Sequence, residues 1–315
     1  MKYLRMMSFI LLTLTFVNCS KDEEVAKPIA TFTFDVDGTQ VTFNGTVENA
    51  KTYAWDFGDN TPVSTEQDPV HEYAKPGKYT VTFTATGDGG TDSETKEVEA
   101  LESFKYLLTG GSGNTDGKIW KLTPAVAGDG IGAISNDLTL DMPLNEGDDY
   151  LNWANLMQGY QDKFTFFYDG SYKVDNSDFN GGSLISMLHA QASGEYALEA
   201  YPDGDVLGQS YAPNIIPLLD VVYAPKTDAT WSLNEDAFDI EAINPNDGTA
   251  YTATFTGKKQ LVLGDYFGFI DHSSIVIVKD ITETQMHVVI ALYGYEKDPT
   301  KPTHFFHLTF KASGK

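Results

Sequence analysis

A regular alternation of apolar and polar residues, interrupted by turn residues, is the feature that most limits what this chain can fold into. In Thr31–Val36 three apolar side chains fall on one face, and in Tyr79–Thr86 four apolar residues alternate with four threonines. A period of two residues is that of a β-strand, because successive side chains of a strand point to opposite faces. Residues 28–100 are therefore predicted to form a compact β-sandwich of short strands.

A loop rich in glycine, serine and asparagine at 110–117 indicates a boundary, and a second domain is predicted over 104–315. It is expected to be a larger β-sandwich, so the whole chain is predicted to be all-β. A jelly roll is the preferred arrangement, and a calycin-like barrel is the alternative. Strands are expected at 118–122, 164–168, 171–174, 195–198, 229–233, 238–243, 251–256, 260–263, 274–278, 286–293 and 305–310.

Three segments of this second domain carry further expectations. The segment 286–293 is apolar on both faces, which predicts a central strand. The segments 151–157 and 183–191 are the only ones that are predicted to be helical.

The N-terminal segment has the composition of an export signal. Lys2 and Arg5 precede an apolar run that ends just before Cys19, the only cysteine, and the run is too short to span a bilayer. This pattern resembles a bacterial lipoprotein signal over 1–18, with an acidic tether over 19–27 similar to the surface-export tag of Bacteroidetes lipoproteins. The resemblance implies lipidation of Cys19 and exposure at the cell surface on the outer membrane. An ordinary cleaved secretion signal is the alternative.

The charge of the chain limits its partners. The formal net charge is −24, and Arg5 is the only arginine. Such an anionic body repels polyanions and lacks the usual bidentate clamp for phosphate, so nucleic acid is excluded as a partner. Aromatic residues are plentiful, with 17 Tyr, 19 Phe and 4 Trp. Ring faces that stack on sugars, together with carboxylates and amides that accept hydroxyl protons, favour a neutral glycan as ligand.

The segment Tyr53–Asn60, with the sequence YAWDFGDN, and the following PVHEYAKPGKYTVTFTAT strongly resemble the PKD family of immunoglobulin-like domains. This resemblance implies a small β-sandwich that serves as a spacer or interaction module and supplies no chemistry. Trp55 and Phe57 are then expected in the core. Asp56 and Asp59 are expected to fix a turn by local hydrogen bonds rather than to bind calcium.

The order of the segments extends the resemblance to the whole chain. A lipoprotein signal, a PKD unit, GKIWKLT at 117–123, FTFFYDGSYKV at 164–174 and LVLGDYFGFI at 261–270 are similar to surface glycan-binding proteins of Bacteroidetes polysaccharide-utilisation systems. The resemblance implies capture of a neutral polysaccharide or oligosaccharide, such as a β-glucan. SusD-like and SusC-like transporter proteins are the implied partners.

Sequence motifs of catalysis are absent, and the chain is predicted not to be an enzyme. It contains no GxSxG, HExxH or P-loop motif. The acidic run at 235–241 lacks the complete carboxylate set of a glycosidase strand, so Asp239 and Glu241 are interpreted as a solvated face. His304 and His307, three residues apart on a strand, are expected on opposite faces and are interpreted as structural.

Aromatic residues in loops are the candidates for glycan binding. The segment Gly147–Lys163 combines ring planes with hydrogen-bonding side chains. In the alternative reading, Trp153 caps the sandwich from a short helix. Trp120 and Trp231 alternate within strands and are expected in the core. The predicted glycan-binding residues are Trp153, Tyr150, Tyr160, Asn155, Asp148, Tyr201 and Tyr266.

Two further possibilities stay open at the level of sequence. A glycoside hydrolase or lyase with dispersed carboxylates, or a protein-binding adhesin or scaffold, are the alternative functions. No cofactor is predicted with certainty. The acidic turns at 146–149, 203–205 and 246–248 contain oxygen ligands suited to a structural Ca²⁺, and plain turns are the alternative reading.

Overall fold

The structure is a computed structural model, and it describes residues 25–149, 157–179, 181–186, 218–269, 275–292 and 301–314. Strands account for nearly all of the regular structure in this part of the chain. The chain divides into two compact units. The second unit comprises residues 35–42, residues 70–79 and the chain from residue 98 onwards. Within the described ranges, no helix combines the length and the apolar character needed to cross a membrane.

The N-terminal part is a small β-sandwich, as predicted. Its six strands form two three-stranded sheets, in the orders β1-β2-β4 and β3-β5-β6. In its core Trp55 stacks on Phe83 with a centroid distance of 4.1 Å, and both side chains are fully buried. The strands are β1 (Ile29–Asp37), β2 (Gln40–Glu48), β3 (Thr52–Asp56), β4 (Val70–Glu72), β5 (Gly77–Gly87) and β6 (Gly90–Ala100).

The turn after β3 is held by its own carboxylates, which confirms that prediction. Asp56 Oδ1 accepts the Gly58 N–H at 2.9 Å, and Asp59 Oδ1 accepts the Thr61 N–H at 3.1 Å. Gly58 has a φ of +77°, and a Cβ at this position would lie 2.4 Å from the Thr80 carbonyl oxygen. The turn therefore requires glycine both for its backbone angle and for the close approach of β5.

Side chains of β6 close the outer edge of β1. Asp92 Oδ2 accepts the Ala30 N–H at 2.9 Å, and Glu94 Oε2 accepts the Phe32 N–H at 2.7 Å. The Lys96 ammonium donates to the Phe32 carbonyl oxygen. An edge strand with free peptide groups can pair with other chains, so these side chains satisfy the groups that would otherwise be exposed. The bond from the Phe32 N–H is the main cause that lowers the pKa of Glu94.

We expect Glu94→Ala to lower the free energy of unfolding by about 1 kcal/mol at pH 7, because it removes the acceptor of the Phe32 N–H. The folded-state pKa of Glu94 is lowered, so its contribution is present above the unfolded-state value of about 4.3 and is lost as the pH falls through the folded-state value. Urea unfolding at pH 7 and pH 3 measures both effects. Glu99→Ala, an exposed glutamate of the same strand, is the matched control. Equal deficits for Glu94→Ala at the two pH values would contradict the assignment.

The larger domain is built on one ten-stranded sheet. Its main path runs β11-β10-β7-β20-β19-β18-β17-β14, and β8 and β9 attach beside β20. Neighbours along the path are antiparallel. The elements are α1 (Phe104–Thr109), β7 (Lys118–Leu122), β8 (Gly130–Ala133), β9 (Met142–Pro143), a 3₁₀ turn (Met157–Tyr160), β10 (Lys163–Phe166), β11 (Tyr172–Asp175), a second 3₁₀ turn (Ser177–Phe179), β12 (Gly182–Ser186), β13 (Leu218–Val222), β14 (Trp231–Asn234), β15 (Phe238–Ile243), β16 (Ala250–Phe255), β17 (Lys259–Leu263), β18 (Val276–Ile281), β19 (Gln285–Leu292) and β20 (His304–Ser313).

The two ends of this path meet, so the sheet closes on itself. Ser171 and Thr230 form an antiparallel bridge. Beside it, the Tyr172 N–H donates to the Ala229 carbonyl oxygen at 2.9 Å, and the Trp231 N–H donates to the Gly170 carbonyl oxygen at 2.8 Å. The domain is thus the predicted β-sandwich, with both walls formed by one curved sheet. Strands β17 to β20 are neighbours in chain order, which is the meander of the calycin-like alternative and not the long crossovers of a jelly roll.

All eight strands of the path direct alternate residues into one core inside the closed sheet. Trp120 and Trp231 belong to this core, as predicted, and β19 lies between β18 and β20, which confirms its central position. Helix α1, which the sequence analysis did not predict, adds the buried Leu108, and the Trp120 Nε1–H donates to the Leu108 carbonyl oxygen at 2.9 Å.

The β15–β16 hairpin covers the outer face of the same sheet and forms a second apolar cluster there. Ile240 and Phe255 from the hairpin are buried together with Val289 and Phe305 from the sheet. Asp239 and Glu241 lie on the exposed face of β15, which confirms their reading as a solvated face.

The helix predicted over 183–191 is wrong in its described part. Residues Gly182–Ser186 form β12, which pairs antiparallel with β13. Pairing with a strand more than 30 residues away overrides the weak local preference for a helix. Residues 187–191 lie outside the described residues. Of the other predicted helix, 151–157, only Met157 is described, and it begins the 3₁₀ turn Met157–Tyr160.

Candidate functional site

Five of the predicted site residues lie outside the described residues. Their roles in lipidation and glycan binding therefore stay predictions. They are Cys19, Tyr150, Trp153, Asn155 and Tyr201.

Two predicted residues that are described take part in the framework of the domain. The Asp148 carboxylate accepts the Asn145 N–H at 2.8 Å, and the Asp148 carbonyl oxygen accepts the Ala125 N–H at 3.0 Å. Asp148 therefore holds the acidic turn at 146–149 together. Tyr160 is half-buried and packs against the main core.

The expectation of an exposed ring at Tyr266 is wrong, because this side chain is only 4% exposed. Its hydroxyl lies 2.6 Å from Ser183 Oγ and donates to Asp162 Oδ2 at 2.8 Å. Burial is the main cause that raises its pKa, and Asp162 adds to it. The turn-like sequence GDYFGF folds into the core of the closed sheet, so this ring has no free face on which a sugar could stack.

Tyr266 belongs to a group of buried side chains that we call the buried polar cluster: Asp162, Asn176, Ser183, Tyr266 and Asp265. The Asn176 Nδ2 group lies within hydrogen-bonding distance of Ser183 Oγ at 2.8 Å, the Gly181 carbonyl oxygen at 3.0 Å and the Tyr223 carbonyl oxygen at 2.9 Å.

The second carboxylate of the cluster holds the segment that follows β13. Asp265 Oδ1 accepts the Tyr223 hydroxyl at 2.8 Å, and Asp265 Oδ2 accepts the Lys226 N–H at 2.6 Å. The cluster therefore anchors two segments of the chain, 171–177 through Asn176 and 225–230 through Lys226.

These two segments flank a groove of about 700 Å³ at the place where the sheet closes. We call it the seam groove. One wall is formed by 171–177, which includes β11, and the other by 225–230, with Phe167 at one side. The volume lies within the usual range for ligand pockets of about 300–1,000 Å³. Asn176 and Lys226, both anchored by the buried polar cluster, belong to opposite walls.

Polar and charged side chains are the more numerous among the residues that line the seam groove, while apolar atoms form the larger share of its surface. Two lysines, Lys173 and Lys226, are balanced by two aspartates, Asp175 and Asp228. Asp175 is held in place, since its Oδ1 accepts the Ser177 N–H at 3.1 Å and the Ser177 hydroxyl at 2.6 Å. The hydroxyl bond is the main cause that lowers the pKa of Asp175. The hydroxyl and amide side chains of the lining are Ser171, Asn176, Ser177, Thr227 and Thr230.

This groove was not predicted from the sequence. The predicted glycan-binding residues are mostly rings in loops, whereas the lining of the groove joins two segments that are separated by more than 40 residues. The Asp169-Gly170 turn before β11 was visible in the sequence, but the pairing of Ser171 with Thr230 was not.

The described residues bear on the predictions about a structural metal ion and about His304 and His307. The described residues contain no group of three or more His, Cys, Asp and Glu side chains that could hold a metal ion. In the turn at 246–248, Asp247 Oδ1 accepts the Thr249 N–H at 2.8 Å, and the turn at 203–205 lies outside the described residues. On β20, His307 is buried and His304 is half-buried, and the alternation of the strand puts them on opposite faces, as predicted.

Comparisons with known proteins identify the N-terminal domain. Residues 25–101 match the family described as PKD domain. This part of the chain is a PKD domain. The chain is 42% identical over 74 residues to the pre-pro-metalloprotease PrtV of Vibrio cholerae, and it spans 8% of the length of that relative and 22% of its own.

Two solved structures match this chain over different shares of its length. The PKD1 domain of Vibrio anguillarum Epp is 33% identical, and the match covers 25% of this chain and all of that domain, with a TM-score of 0.24. A structure described as explaining the promiscuous specificity of carbohydrate-binding modules of the β-sandwich superfamily covers 93% of this chain and 94% of its own, at 14% identity and a TM-score of 0.23. Similarity this low carries no argument about the ligand.

Proposed function

We propose that the protein is a non-catalytic glycan-binding protein whose larger domain holds a neutral polysaccharide or oligosaccharide in the seam groove. The observation that carries the proposal is the combination of hydrogen-bonding groups and apolar surface that lines this groove. Hydroxyl, carboxylate and ammonium groups line both walls. Sugar hydroxyls donate and accept hydrogen bonds, so they match such a mixture of donors and acceptors.

The charges of the seam groove favour a neutral ligand. The chain has a formal net charge of −24, which repels anions at long range. The groove itself carries two lysines and two aspartates, so it offers no excess charge to an ionic ligand. An uncharged glycan is not repelled by the net charge of the chain, and it needs no excess of either charge in the groove.

The remaining parts of the proposal concern the location of the protein and its partners. The PKD domain serves as a spacer, and a lipid on Cys19 holds the protein at the outer membrane with its body exposed at the cell surface. The captured glycan, such as a β-glucan, is passed to SusD-like and SusC-like transporter proteins. These parts are supported by the N-terminal signal pattern and by the order of the segments in the sequence.

Calorimetry of the purified chain against a panel of neutral and acidic polysaccharides tests the proposed function. We expect binding to at least one neutral glycan, weak dependence on salt, and no release of shorter sugars over hours of incubation. A double variant, Lys226→Ala with Thr227→Ala, changes one wall and should weaken that binding. Lys258→Ala with Thr256→Ala, at positions outside the groove, is the matched control. Release of products would instead indicate a hydrolase or lyase, and no binding to any neutral glycan would exclude the proposal.

A further inference from the structure

The seam groove is lined by main-chain groups as well as by side chains. Val174 lines the groove, yet it is only 5% exposed and its side chain belongs to the core inside the sheet. What Val174 presents to the groove is therefore its peptide backbone.

The direction of the Val174 backbone follows from the hydrogen bonds of its neighbours. The Tyr172 N–H points across the seam, because it donates to the Ala229 carbonyl oxygen at 2.9 Å. The carbonyl group of Ser171 points away from the seam, toward the β10 side, because its oxygen accepts the N–H of Phe167, which directly follows β10. In an antiparallel strand every second residue directs its N–H and C=O to the same side. The N–H and C=O of Val174 thus point across the seam, as those of Tyr172 do.

Beyond Tyr172 the two walls separate around the groove. Among the residues that the structure describes, the hydrogen bonds across the seam end at the Tyr172–Ala229 pair. On its other side, β11 pairs with β10, with Val174 opposite Phe164. Val174 therefore offers one donor and one acceptor side by side to whatever occupies the groove.

We infer that the Val174 peptide group is the hydrogen-bonding element by which the seam groove holds a hydroxyl-bearing chain. This inference rests on the proposed function and adds the recognition element of the site. A hydroxyl group both donates and accepts, so one sugar hydroxyl, or two neighbouring ones, can satisfy the Val174 N–H and C=O together. Ser171 and Thr230 stand nearby in the lining to bond further hydroxyls.

A glycan fits this element better than an extended peptide does. A peptide that adds a strand to a sheet edge derives its affinity from a row of main-chain hydrogen bonds. Strand β11 is four residues long, roughly 13 Å, and Tyr172 already uses its outward N–H, so the edge offers a single outward N–H donor. The hydroxyl-bearing side chains of the lining, on Ser171, Ser177, Thr227 and Thr230, match the hydroxyl groups of a glycan.

Val174→Pro tests the inference, because proline lacks the N–H and is tolerated in an edge strand where that N–H is not part of the ladder. The matched control is Val174→Ala, which also loses side-chain packing but keeps the N–H. With the neutral glycan that binds the wild type most tightly as the probe, we expect Val174→Pro to bind about fivefold to tenfold more weakly than Val174→Ala, the effect of one lost hydrogen bond.

The possible outcomes separate the inference from the proposed function. Equal affinity of Val174→Pro and Val174→Ala would overturn the inference while leaving the proposed function in place. Failure of the wild type to bind any neutral glycan would exclude the proposed function itself, and selective binding of extended peptides would overturn both. If Val174→Pro does not fold, an ester replacing the amide at Val174 removes the same N–H with the side chain kept, and its affinity decides in the same way.

Discussion

Between pH 7 and pH 4, the free energy of unfolding of His307→Gln is expected to fall by about 3 kcal/mol less than that of the wild type. His307 lies on β20 and is 1% exposed. Its Nδ1 atom is 3.3 Å from the Lys279 ammonium, and its Nε2 atom is buried. Burial first, and the positive charge of Lys279 second, lower the pKa of His307 to about 4.

The direction of the effect follows from the proton balance of the folded and unfolded states. An unfolded histidine has a pKa of about 6.5. Between pH 6.5 and pH 4 the unfolded chain binds a proton at His307 that the folded chain does not, so the free energy of unfolding falls as the pH falls. The slope is about 1.4 kcal/mol per pH unit, and the full stability is present above about pH 6.5.

Urea unfolding at a series of pH values between 7.5 and 4 measures this contribution as the difference between the wild type and the variant. His287→Gln is the matched control, because it removes another histidine of the same sheet that is only half-buried and lies 3.7 Å from Asp280. Lys279→Met should shrink the acid loss in part, since the neighbouring positive charge is gone. Parallel stability curves for the wild type and His307→Gln would contradict the assignment.

The position of Lys279 explains why this contact could not be predicted from sequence. The register between β18 and β19 shifts between Val278 and Asp280, so Lys279 occupies an irregularity of the strand and reaches His307 across the sheet. Alternation alone predicts which face His307 occupies. It does not predict a bulge, which inserts one residue and redirects its side chain.

Local patterns predicted the parts of the fold that depend on neighbouring residues. The central position of β19 follows from its apolar run, and the core position of Trp55 and the carboxylate turn at Asp56 follow from the resemblance of Tyr53–Asn60 to the PKD family. The closure of the large sheet at Ser171 and Thr230 depends on two segments about 60 residues apart, and single-sequence patterns carry no information about such pairing.

The burial of Tyr266 could not be predicted from the sequence for the same reason. Its sequence context, with glycine on both sides of GDYFG, is typical of a surface turn. The ring is buried because Ser183 and Asp162 supply partners for its hydroxyl, and both come from distant parts of the chain. A buried tyrosine needs such partners, and a sequence does not reveal whether they are present.

Asn176→Asp is expected to destabilise the larger domain by about 3 to 5 kcal/mol at pH 8. Asn176 is 7% exposed, and its amide nitrogen faces the carbonyl oxygens of Gly181 and Tyr223 and the Ser183 hydroxyl. A carboxylate in its place turns an oxygen toward two carbonyl oxygens and leaves a buried charge without a compensating group. Because Asn176 anchors one wall of the seam groove, the same change should also weaken ligand binding.

The pH dependence distinguishes a buried charge from a simple loss of packing. Burial and the facing oxygens raise the pKa of the introduced carboxyl above its unfolded value of about 3.9, so the deficit is largest above the folded-state pKa and shrinks as the pH falls through it. Asn246→Asp, in an exposed turn, makes the same charge change and should stay within about 0.5 kcal/mol of the wild type. Urea unfolding at pH 8 and pH 5 measures both variants. A deficit of Asn176→Asp that is small, or that does not shrink at pH 5, would show that the Asn176 amide does not hold these carbonyl groups together.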